Sequence, residues 1–149
     1  MEFANEIDDL ANVPVFSGFD YTRLRRLAKC TESRLFLPRD LLFREGDASH
    51  GSYLIRTGSL NLIRKSADDI PTCVGPGTIV GIKALFLPIY RPATAIANEM
   101  TSALFISRLS FQEFLKEDPG AATFLQDMFV EALHEMTREF KLTRINSAA

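Results

Sequence analysis

Between residues 33 and 108 the sequence breaks into short extended-type segments divided by turn signals, with helical periodicity on both sides. That interrupted pattern narrows the fold more than any other feature. Seven segments carry β-type character, at 34–37, 41–44, 52–56, 59–65, 72–74, 94–98 and 102–107. Between them stand Pro38-Arg39-Asp40, Glu45-Gly46-Asp47, Thr57-Gly58-Ser59 and Gly75-Pro76-Gly77, residues that supply the special backbone angles of turns. Spacing of this kind predicts a sandwich or jelly roll of about eight short strands.

The flanks read as helices. In the helical region 1–31, Phe3, Ile7, Leu10 and Val13 fall at helical spacing, as do Tyr21, Leu24, Leu27 and Ala28, with Pro14 and Ser17-Gly18 dividing the two helices. Asp20 is placed to cap the second. Its other face carries Arg23, Arg25, Arg26 and Lys29, a solvated face before it is a dock for an acidic partner. Beyond the roll, Ser110 and Glu113 form a capping box, and Asp118 caps a last helix with Pro119 at its first position. C-terminal helices over 110–142 follow. The final stripe, which includes Leu125, Phe129, Ala132 and Met136, is too wide for one barrel contact, so these residues are candidate contacts of a homodimer. The expected architecture is α+β, a β-roll over 33–108 with helices collected at one side, within a single domain spanning 1–149.

Composition limits the partners. With 17 Lys and Arg against 19 Asp and Glu the net charge is −2, which argues against a surface made for nucleic acid or anionic lipid, so an anion site would be local. Cys30 and Cys73 are too few for a disulfide framework or a zinc site. No apolar run reaches the ~18 residues of a membrane span. Residues 1–13 hold four acids, the wrong chemistry for a targeting peptide, and the expected location is the cytoplasm.

Chemistry concentrates between Gly75 and Ala95. A Gly-containing loop that opens a very short helix presents backbone N–H groups, and Arg91, about ten residues on, can close over the same space. The combination predicts a pocket for one compact anion such as a phosphate. His50 and His134 lack partners at metal-ligand spacing, Asp68-Asp69 looks like a hairpin tip in water, and Ser59 has no adjacent base. No nucleophile, base or metal constellation supports an enzyme.

Five stretches then resemble a known family. Phe16-Ser17-Gly18, Pro38-x-x-Leu41-Leu42-Phe43-x-Glu45-Gly46-Asp47, Tyr53-Leu54-Ile55-x-x-Gly58-Ser59-Leu60, Gly75-Pro76-Gly77-x-x-x-Gly81 and Arg91-x-Ala93-Thr94 are similar, in order and spacing, to the cyclic-nucleotide-binding domain of catabolite activator protein and protein kinase A regulatory subunits. The resemblance implies a phosphate-binding cassette over Gly81, Ile82, Lys83, Ala84, Leu85, Arg91, Pro92, Ala93 and Thr94. In it Gly81 and the amides of Ala84 and Leu85 would face the phosphate, and Arg91 would be the counter-ion.

Two departures from the family pattern weaken that ligand. Ile82 stands where the family has a ribose-binding Glu, and losing such a charge-assisted bond costs about 1.5–3 kcal/mol. Pro92 stands where a backbone N–H would reach the phosphate, another ~1 kcal/mol. Together they predict cyclic-nucleotide binding weaker by about two to three orders of magnitude. Lys83 points to water or adds charge to the cradle; in the second case an anion without a ribose suits the site better. The expected function is a non-catalytic ligand-sensing module without a resident cofactor, which takes a cyclic nucleotide weakly or another small anion and signals through its C-terminal helix to a protein effector. The alternative is a ligand-free dimerisation domain that keeps the fold alone. Only seven residues follow Leu142, fewer than the ~25 that a DNA-binding helix pair needs, so no direct nucleic-acid contact is expected.

Overall fold

The structure, a computed structural model, describes residues 3–65, 70–129 and 131. The chain divides into two compact units, Met1–Phe114 and Leu115–Ala149.

The first unit opens with α1 (Ala4–Ala11), a 3₁₀ turn at Pro14–Phe16 and α2 (Tyr21–Ala28). The Asp20 carboxylate accepts from the Arg23 N–H at 2.9 Å, the cap that the sequence predicts. The helical stretch ends sooner than residue 31. Thr31 turns its hydroxyl back onto the Ala28 carbonyl at 2.7 Å, and its backbone already pairs with Ile106, so the roll begins at 31 and not at 33.

Eight strands follow: β1 (Thr31–Phe36), β2 (Leu41–Phe43), β3 (Gly51–Thr57), β4 (Leu60–Ile63), β5 (Thr72–Val74), β6 (Ile79–Val80), β7 (Thr94–Ala97) and β8 (Thr101–Ser107). They form two antiparallel sheets, ordered β1-β8-β3-β6 and β2-β7-β4-β5. The α+β jelly-roll architecture is the one expected. The strand β6, only two residues long, sits inside the stretch read as loop; Val80 and Ile79 pair with Tyr53 and Leu54.

Side-chain alternation places Tyr53, Ile55, Leu60, Val80, Ala95, Ala97, Ala103 and Phe105 in the core of the roll, with Phe43. β3 is buried on both faces over Gly51 to Ile55, which is why it reads as an apolar run rather than an alternation. Its Arg56 leaves the barrel to bond Asp9 of α1 at 2.7 Å and ties helix to sheet. Phe16, Phe19, Phe111 and Phe114 make a second cluster, with Phe16 and Phe111 centroids 6.2 Å apart.

Strand β8 runs straight into α3 (Arg108–Glu117). The cap is Ser107, whose hydroxyl accepts the Ser110 N–H at 3.0 Å, so Ser110 lies within the first turn rather than ahead of it. The capping box at Ser110 and Glu113 is thus overruled by a strand that delivers a competent serine three residues earlier.

In the second unit, residues 119–129 are helical, and Asp118 accepts from the Ala121 N–H at 3.1 Å as its predicted cap. Leu125 is buried and Phe129 half-buried. Ala132, Met136, the remainder of the expected helix to 142, His134 and the Asp68-Asp69 tip lie outside the described residues.

Candidate anion site

The cassette is held from both ends. Gly77 N–H donates to the Ile55 carbonyl at 2.9 Å, which sets the turn that feeds β6. Gly81 then takes φ +72°, a left-handed angle that turns the chain off the sheet and into the 3₁₀ helix Ile82–Leu85. A Cβ on Gly81 would stand 2.5 Å from Arg91 Nη1, so the absence of a side chain there lets the guanidinium lie against the cassette backbone. Ser52 Oγ donates to the Gly81 carbonyl at 2.5 Å and fixes the corner to β3.

Arg91 is anchored through its own backbone. Its N–H donates to the Asp47 carbonyl and its carbonyl accepts from the Gly46 N–H, each at 2.8 Å. The side chain runs inward and is only 5% exposed. Nη2 donates to the Gly51 carbonyl at 2.7 Å, and the guanidinium carbon lies 4.2 Å from the Phe43 ring centroid. Nε and Nη1 are buried and have no hydrogen-bond partner among the described residues. Burial pushes the Arg91 pKa down from its ordinary value; Tyr53 raises it, Arg108 adds to the depression and Asp47 opposes it.

A buried cation with two unpaired donors, facing a glycine corner, is chemically a receptor for an anion's oxygens. Beside them lies a cavity of about 380 Å³, lined in part by Gly81, Arg91, Pro92 and Ala93. Those four are the predicted site residues that the fold brings together. Ile82 is half-buried, Lys83 is exposed, and neither lines the cavity. Ala84 and Leu85 are fully buried, and the Ala84 N–H is spent within the turn on the Gly81 carbonyl at 2.9 Å. Thr94 serves the frame: its hydroxyl accepts from the Glu45 N–H at 2.9 Å. A second hollow, of about 490 Å³, shares Phe43 and Arg91 with the first and is bordered by Arg34, Asp47 and His50. There Arg34 donates to the Tyr53 hydroxyl at 3.2 Å and lies 3.9 Å over the Phe105 ring.

One residue absent from the sequence reading is Arg108. Its Nη1 donates to the Ala84 and Leu87 carbonyls at 3.0 and 3.1 Å, and its Nη2 to the Ser49 carbonyl at 3.0 Å. It therefore takes up the Ala84 carbonyl near the end of the 3₁₀ helix and the Leu87 carbonyl just beyond it, while its own backbone begins α3. The single available signal was an arginine directly after the apolar run of β8. Among the described residues no helix is long and apolar enough to cross a membrane, and no three His, Cys, Asp or Glu side chains gather as metal ligands.

The roll, the glycine corner and the inward arginine define a jelly roll with a buried cation beside a cavity, and comparison with known proteins supplies the family. Residues 33–118 match the family model of the cyclic nucleotide-binding domain, and the chain belongs to that family. It is 25% identical over 138 residues to a cyclic AMP receptor protein of Thermus thermophilus, covering 91% of this chain and 64% of that protein. The N-terminal domain of a transcriptional regulator from Streptomyces coelicolor superposes with a TM-score of 0.83 at 27% identity, covering 89% of this chain and 95% of that one. A cyclic nucleotide-binding-like protein from Brucella abortus gives 0.67 at 33% identity, covering 75% and 98%. The chain thus spans less than two thirds of the Thermus relative's length.

Proposed function

We propose that this chain is the sensing part of a regulator, non-catalytic and cytoplasmic, whose ligand places an anionic group on Arg91 against the Gly81 corner. The observation that carries the reading is the pair of buried, unpaired donors Nε and Nη1 of Arg91. A fold kept only as a scaffold has no use for a desolvated cation at that place, where an apolar side chain would cost less. Ligand contact would be signalled through α3 and the helix that follows it, by a difference in affinity between two helix positions. Cyclic AMP and cyclic GMP are ligands of reduced affinity here, because Ile82 offers no acceptor and Pro92 no N–H.

Calorimetric titration of the chain with cyclic AMP, cyclic GMP and inorganic phosphate tests the reading, with weak but measurable heat expected for at least one. Silence with all three at millimolar concentration would overturn it. Ile82 and Pro92 favour a second reading, a ligand-free domain that dimerises through its last helix and acts on a protein partner. Under that reading Arg91→Met changes nothing in any titration, and Phe129→Asp turns a dimer into a monomer in sedimentation. A wild-type monomer at every concentration would remove the dimer.

A further inference from the structure

Resting on the anion reading of Arg91, we infer that the preferred ligand is a compact organic anion with an apolar body, an aromatic or branched-chain phosphate monoester or carboxylate, which binds more tightly than a sugar phosphate. The cavity beside Gly81 is lined by Arg91 and Arg64 and by no Asp or Glu among its described lining residues. Arg91 lies at the buried end, and Arg64 is exposed. Arg64 stands one residue past the end of β4 and lines the same cavity as Leu62, so the apolar wall of Leu62 leads to a second positive charge.

Between these two arginines most of the side chains on the walls are apolar. Phe43, Leu62 and Val80 face the space, and among the described lining residues Thr72 alone has a side-chain oxygen. Leu62 and Thr72 are register partners across β4 and β5, so that one hydroxyl sits at one place on the wall. A sugar body brings several hydroxyls, each of which loses water on entry and needs a partner. A hydrocarbon ring loses nothing polar and gains by covering Leu62 and Val80. At about 380 Å³ the cavity lies near the small end of ligand sites, enough for a charged head and one ring.

The test uses three probes with one head group: inorganic phosphate, phenyl phosphate and ribose 5-phosphate, titrated calorimetrically into the whole chain. Burying the ring is worth about tenfold in affinity, so phenyl phosphate should bind about tenfold or more tighter than inorganic phosphate. Ribose 5-phosphate should bind no tighter than inorganic phosphate. Arg64→Gln, an exposed change that leaves the roll intact, should weaken phenyl phosphate by about twofold to fivefold, the effect shrinking with added salt. Equal affinity for all three probes, or ribose 5-phosphate equal to phenyl phosphate, overturns this inference and leaves the anion reading standing. Binding of none of them, or binding undiminished in Arg91→Met, overturns both.

Discussion

Replacing Arg91 with methionine should make the protein more stable and blind to its ligand. In the native chain Arg91 is 5% exposed and its Nε and Nη1 have no partner among the described residues. Two unsatisfied buried donors cost about 1–3 kcal/mol each, and desolvating the charge adds to that. Against this stand one charge-assisted bond to the Gly51 carbonyl, about 1.5–3 kcal/mol, and stacking on Phe43 at 4.2 Å, about 1–2 kcal/mol. Methionine keeps the apolar stem on Phe43, removes both orphaned donors and the charge, and leaves the Gly51 carbonyl short of one donor.

The balance favours the variant by about 1 kcal/mol, a rise in Tm of about 3 °C. The pKa depression agrees in sign. A base whose pKa falls on folding binds its proton less well in the native state, so stability recovers only as pH climbs past the folded pKa. At neutral pH the full penalty is present. Differential scanning calorimetry of both proteins without added ligand reads the difference, with urea melts of unchanged m-value as a check. Phosphate probes at a hundred times their Kd should then stabilise the wild type by about 2.7 kcal/mol and the variant not at all. A drop in Tm of more than about 6 °C in the ligand-free variant would refute the reasoning, since Arg91 would then be a structural cation.

Gly81→Ala places a Cβ 2.5 Å from Arg91 Nη1 at a φ of +72°, so it should cost about 1–2 kcal/mol in a thermal melt and abolish phosphate binding in the same protein. Ile82→Glu supplies the hydroxyl acceptor that the family pattern has and this chain lacks, and should raise cyclic AMP affinity by about tenfold to a hundredfold in calorimetry; no gain would show that the cassette cannot seat a ribose at all. Arg108→Gln loses bonds to the Ala84, Leu87 and Ser49 carbonyls and should lower stability by about 3 kcal/mol in urea, whereas a loss under 1 kcal/mol would mean that water replaces them at no cost.

What was legible in advance was local. The Asp20 and Asp118 caps, the turn at Pro38-Arg39-Asp40 and the strand at 72–74 depend on residues within three or four positions of one another, and the structure has them. The turn residue Arg39 even takes the left-handed φ of 73°. The strand β6 was not legible, because two residues carry no alternation, and its partners Tyr53 and Leu54 are far away in sequence. Arg108 was hidden for the same reason. Its acceptors are backbone carbonyls 21, 24 and 59 residues distant, and a carbonyl leaves no trace in residue type. The candidate site split along this line: Gly81 and Arg91 were readable from spacing and family pattern, while the inward course of Arg91 past Phe43 depends on the closed roll.

That inward course separates Arg91 from the other buried polar residues of the fold. Ser49, Ser52 and Thr101 are each 2% exposed or less, and each hydroxyl has a backbone carbonyl within reach of its proton: Ile89, Gly81, and either Ser59 or Glu99. Their burial is neutralised inside the chain. Arg91 has one such partner for Nη2, yet Nε and Nη1 have none among the described residues. A fold that satisfies its small hydroxyls so fully has the means to satisfy an arginine, since the Asp47 carboxylate belongs to the very turn that holds the Arg91 backbone. That carboxylate instead accepts the Arg44 N–H at 2.9 Å and closes its own turn. The acid is kept on the loop while the cation is sent into the core, so Asp47 acts on Arg91 through its charge and not through a hydrogen bond to the guanidinium. Sequences break local rules where function requires it. Here the broken rule is the pair of unpaired donors Nε and Nη1 of Arg91, a residue on the wall of the cavity.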